Sequence, residues 1–107
     1  NYNPEWGAHI AFLQTVLWAD AVEQAGTFYP PEVIKAYEKG TKRQTSVGEV
    51  YWRAEDHQLV RPVFVQRGKK PSDMRNPDDY FDIVEVAPGE QIMQPLDRTG
   101  CKLGDFT

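Results

Sequence analysis

An α/β fold, with helices ahead of strands, is what this 107-residue sequence predicts. Two periodicities and the breaks between them carry the prediction. Up to about Gly40, apolar residues recur every three or four positions, the repeat of a helix buried along one side. From Gly48 onward the repeat shortens to two, the alternation of a strand. Gly or Pro stands near most of the junctions, where the chain must leave one element for the next.

The first element is predicted over residues 4–26. Trp6, Ile10, Leu13, Leu17 and Ala21 fall along one helical stripe, and Phe12, Val16 and Ala19 or Val22 widen it. This predicts burial over much of the helix circumference. Asn3 is the expected N-cap, with Pro4 at the first helical position and Glu5 near the positive end of the dipole. Gly26 supplies the stop. After a linker, Thr27 to Pro31, a shorter helix is expected over residues 31–39, with Val33, Ile34 and Tyr37 inward. Lys35 and Lys39 sit toward its negative end and Gly40 closes it. Thr41 to Ser46 reads as a polar connection.

Strands are expected at about 48–54, 59–66 and 80–86. The first two are close enough in sequence to form a hairpin across Ala54-Glu55-Asp56-His57. Pro62 inside the second strand points to an edge or a bulge there. Residues 67–79 read as a polar insertion with no apolar period. Pro88-Gly89 reads as a turn, and residues 87–107 as an extended tail. An all-round apolar helix with three strands to cover it is short of partners, so a missing packing surface is expected.

Composition narrows the function classes. Twelve Lys and Arg against 16 Asp and Glu give a net charge of -4, the opposite of the basic face that nucleic-acid binding requires. A mean hydropathy of -0.61 and the short apolar runs predict no membrane span. One Cys excludes an internal disulfide framework and a self-contained zinc ribbon. The start at Asn1 without Met fits a processed protein or a piece of a larger one.

No residue constellation points to catalysis. Glu55-Asp56-His57 is the densest polar cluster, and His9 is the one other His. Consecutive acidic residues converge poorly on a metal, so a turn is expected, with Asp56 accepting backbone N–H bonds and His57 and Gln58 tying the hairpin. Cys101 has no adjacent His to activate it, which leaves a tail thiol or half of a disulfide to a Cys outside this chain. Asp78-Asp79, Glu85 and Glu90 are expected to be solvated. Arg67, Lys69, Lys70 and Arg75, interleaved with Asp73, Asp78 and Asp79, are expected to form a mixed surface. GxGxxG, GxxxxGK[ST] and HExxH are all absent. The expectation is no enzyme, no cofactor and no metal.

The order of the motifs nevertheless resembles one family. The string from Phe12 to Thr27 is similar to the long helix near the C-terminus of type I periplasmic solute-binding proteins, the branched-chain amino acid, amide and urea receptors of ABC transporters. Pro30 to Glu38 resembles their following short helix. Val47-Gly48-Glu49-Val50-Tyr51, then Arg53, Asp56-His57-Gln58, Pro62 and Val65, resemble the strands after it. Asp79 to Glu90 and Thr99 to Gly104 resemble the tails of one branch. The resemblance runs over nearly the whole chain but covers the C-terminal portion of receptors several times longer. It therefore implies a fragment of a periplasmic-binding-protein type I fold.

The resemblance also implies a periplasmic location and three partners: a small polar solute, a membrane permease and the remainder of the receptor chain or a second copy of the fragment. Phe12 matches an aromatic position that can line the ligand cleft, although the family usually carries Tyr, which can donate a hydrogen bond there. Cys101 would pair outside this chain. The strand at 80–86 and the neighbouring hairpin would belong to the hinge about which the lobes close. The alternative is a small autonomous interaction domain that dimerises through its apolar helix.

Overall fold

A computed structural model describes residues 6–104. The expected cap at Asn3, with Pro4 and Glu5, lies outside the described residues, as do residues 105–107 of the tail.

The long helix, α1, spans Trp6–Ala25, and Gly26 ends it at φ +68°, a left-handed conformation that glycine adopts without a Cβ penalty. Leu13, Leu17 and Ala21, four residues apart, form its buried line. The second helix, α2, spans Pro30–Glu38 and begins with its two prolines, whose missing N–H groups cost nothing in a first turn. Val33 and Ala36 of α2 pack against Ala21, with Val22, Ala25 and Tyr37 at the margin.

Three antiparallel strands follow, β1 (Arg43–Thr45), β2 (Gly48–Arg53) and β3 (Gln58–Val60), in the order β1-β2-β3. The register pairs Arg43 with Val50 on one side of β2 and Tyr51 with Val60 on the other. Val50 is fully buried and joins Leu13 and Leu17, with Val47 and Leu59 packed around them. The sheet thus sits against the α1 stripe. Each such leucine contributes about 1.5–3 kcal/mol by leaving water.

Beyond the sheet, β4 (Val63–Gly68) and β5 (Phe81–Ala87) form a separate antiparallel ribbon, Val63 opposite Ala87 and Gly68 opposite Phe81. The register slips between Val65 and Gln66, which pair with Glu85 and Ile83, so Val84 is an extra residue that bulges β5. Two single-turn helices close the described chain, α3 (Gly89–Ile92) and α4 (Leu96–Thr99).

Four sequence expectations are corrected. The predicted strand at 59–66 is two strands in two sheets, because Pro62 donates no ladder hydrogen bond and the chain changes partner there. The polar connection at 41–46 contains β1, an edge strand held by backbone pairing. The tail is not wholly extended, since α3 and α4 interrupt it, and Gly89 opens α3. The wide apolar girdle of α1 is not buried: Trp6 is 70% exposed and Phe12 68%, while Trp18 is also exposed.

The result is an elongated body of 58 × 35 × 18 Å with a radius of gyration of 17.3 Å. A self-sufficient domain of this length has a radius of about 13 Å. Val63, Val65, Ile83, Val84 and Val86 leave apolar side chains exposed along the ribbon.

Candidate functional site

Phe12 stands exposed on α1 beside the edge strand of the sheet. With Leu13 and Val16 it forms the apolar wall of a groove of about 260 Å³ whose other wall is Arg43, Gln44 and Thr45 of β1 and the adjacent Ser46. Ser46 Oγ lies 3.4 Å from His9 Nε2. Arg43 is already engaged, its Nη2 lying 2.9 Å from Asp20 Oδ1. The groove can therefore hold an apolar group over the Phe12 ring with polar atoms toward β1. Phe12 itself supplies a surface and no hydrogen bond.

The Glu55-Asp56-His57 cluster is a turn. Arg53 donates from Nε to Asp56 Oδ1 at 2.9 Å and from Nη2 to Asp56 Oδ2, a bidentate fork across the β2–β3 loop. Asp56 also accepts the Gln58 N–H at 3.3 Å, as expected of a turn aspartate. These donors, Arg53 first, hold the Asp56 carboxyl below its ordinary range against a smaller opposing effect of burial. The second nitrogen of the fork reaches further, to the Gln94 carbonyl at 3.1 Å, and so ties the loop to the segment between α3 and α4.

His57 takes φ +55° to finish the loop, and its Nε2 lies 2.9 Å from Glu38 Oε1 at the end of α2. His57 was expected to tie the hairpin, and through Glu38 it joins the hairpin to a helix. Neither Arg53 as the partner of Asp56 nor Glu38 as the partner of His57 was visible in the sequence, although the three-residue spacing of Arg53 and Asp56 is a signal for the first.

The basic loop is likewise an organised network. Lys69 Nζ lies 2.7 Å from Asp79 Oδ1 and 3.2 Å from Asp82 Oδ1, and the Lys69 side chain is almost wholly covered. Arg75 donates to Asp79 Oδ2 from both Nε and its backbone N–H, each at 3.0 Å. Asp79 is the hub, and the donors from Arg75 and Lys69 hold its carboxyl far below the usual carboxylate range. The expectation that Asp79 is solvated is corrected: it closes the loop between β4 and β5, beside the Lys69 N–H bond to the Tyr80 carbonyl at 2.8 Å. Cys101 is exposed and free among the described residues. No group of three or more His, Cys, Asp or Glu among the described residues is placed to hold a metal ion.

The chain packs helices α1 and α2 against a small sheet, with a protruding ribbon and uncovered apolar faces. Its fold is that of a type I periplasmic binding protein, over part of that fold. Over 95% of its length the chain superposes on an amino acid ABC transporter substrate-binding protein from Pseudomonas fluorescens Pf-5, with a TM-score of 0.80 and 24% identity. Over 73% of its length it superposes on a periplasmic binding protein from Burkholderia mallei, with a TM-score of 0.66 and 28% identity. The chain spans 26% of the first of these proteins and 20% of the second. No protein-family model and no curated protein sequence matches it.

Proposed function

We propose that this chain is the C-terminal part of the solute-binding component of an ABC transporter, working outside the cytoplasm. The superposition over 95% of the chain on an amino acid receptor is the observation that carries the reading. The uncovered apolar side of α1 and the two-stranded ribbon support it, because both are surfaces that the rest of a receptor would bury. The complete protein binds a small polar solute, such as an amino acid, an amide or a small organic acid, between two lobes. Solute shifts the population from open to closed, and a membrane permease recognises the closed form. Phe12 is the cleft residue of this segment, β5 and its ribbon belong to the hinge, and Cys101 forms a disulfide with a Cys outside this chain.

The test is tryptophan fluorescence of the full-length receptor titrated with amino acids, amides and small aromatic acids. One of these classes shifts the emission saturably, and Phe12→Ala weakens that binding by about tenfold, the loss of one aromatic contact. A flat response across all three classes overturns the assignment.

A further inference from the structure

A second cavity, about 70 Å³, lies where α1, α2 and β2 meet and shares Arg43 with the Phe12 groove. Leu17 and Ala36 line it together with Asp20 and Trp52. Among the described residues, Asp20 Oδ2 and Trp52 Nε1 are both buried and have no hydrogen-bond partner. Buried polar groups of folded proteins are almost always paired, and two orphans on residues that line one cavity call for a shared explanation.

The chemistry of the pair selects the occupant. The indole N–H can only donate, and the carboxylate oxygen can only accept. A cation would satisfy Asp20 but not Trp52, and it would meet Arg43 and Lys42 on the same wall. An anion would satisfy Trp52 and face the carboxylate. A species that accepts from one side and donates to the other satisfies both, and a water needs only about 10–15 Å³ of such space. We infer that this cavity is a hydration site, in which bound water accepts from Trp52 Nε1–H and donates to Asp20 Oδ2. It joins α1 to β2 beneath α2. The ion pair from Arg43 Nη2 to Asp20 Oδ1, 2.9 Å, fixes the carboxylate so that its other oxygen stays turned to the water.

The experiment is magnetic resonance on the full-length protein with its indole nitrogens labelled. Trp6→Phe and Trp18→Phe, both at exposed positions, assign the remaining signal among the tryptophans of this segment. The Trp52 indole proton is expected to show a cross-peak at the water frequency, with opposite signs in laboratory and rotating frames for direct contact with long-lived water. A protected indole proton without that cross-peak overturns the inference. Stability of Asp20→Asn, Trp52→Phe and the double variant gives a second reading: effects through shared water are less than additive, and strict additivity overturns the link. If either variant fails to fold, the labelled protein with both residues intact decides alone.

Discussion

Gly89 is buried because nothing larger fits. A Cβ built there would lie 2.8 Å from the backbone N and O of Arg61 and from Cγ1 of Val60. Two of those three atoms are backbone, so the contact cannot be relieved by turning a side chain. Gly89→Ala is expected to cost about 1–3 kcal/mol, the usual penalty of overpacking, measured by denaturant unfolding of the full-length protein. Asp79 gives a prediction of another kind. Its carboxyl has an ordinary value of 3.8, and Arg75 and Lys69 hold it far lower in the folded chain. A carboxyl depressed by folding stabilises the fold fully above its unfolded pKa, and that contribution is lost as pH falls toward the folded one. Stability should therefore decline on acidification below about pH 4. Asp79→Asn should lower stability at neutral pH and flatten the acid limb, which unfolding curves between about pH 2 and 7 would record.

The turns and edges decide what could be foreseen. The line Leu13, Leu17, Ala21 is legible because burial on a helix leaves a four-residue repeat in the sequence. Phe12 and Trp18 misled because an apolar side chain looks the same whether its partner is present or lies elsewhere. β1 was invisible, since Arg43, Gln44 and Thr45 bury little and are held by backbone hydrogen bonds that any residues make. Pro62 announced a disturbance but not a change of sheet, which depends on β5 more than 18 residues further on. The loop cluster at Asp56 was legible as a turn through local chemistry, whereas the Asp20 and Trp52 cavity required 32 residues of chain to fold back. Gly48 links these observations. It closes the β1–β2 hairpin at φ +103°, and an added Cβ would lie 3.2 Å from Pro62 Cγ. Gly48→Ala is expected to cost about 1–3 kcal/mol from backbone strain. Adding Pro62→Ala should recover only the contact part of that loss, as a comparison of thermal or denaturant midpoints would reveal.

Assembly follows from what the fold leaves uncovered. Among the described residues seven apolar ones are buried, and they fall on one side of α1, on α2 and on the small sheet. Phe12 and Trp18 on α1, and Ile83 and Val86 on the ribbon, remain exposed. Ordinary monomers rarely leave this many large apolar side chains exposed, so the isolated 107-residue chain should not persist as a stable monomer. Sedimentation of the isolated chain is expected to give a mass above 12.3 kDa that rises with concentration. On the proposed receptor reading, co-expression with the rest of a receptor should replace that behaviour by a single one-to-one complex, because the exposed apolar residues of α1 and the ribbon would then be covered. A monodisperse 12.3 kDa monomer with a cooperative unfolding transition would instead establish an autonomous domain. A concentration-dependent dimer that ignores the added receptor chain would favour self-association through α1. The two surfaces separate these cases further: charge introduced at Phe12 should disrupt a dimer built on α1, and charge at Ile83 should disrupt one built on the ribbon. In the receptor complex that the proposed function implies, both substitutions should weaken association, since both faces would be covered there.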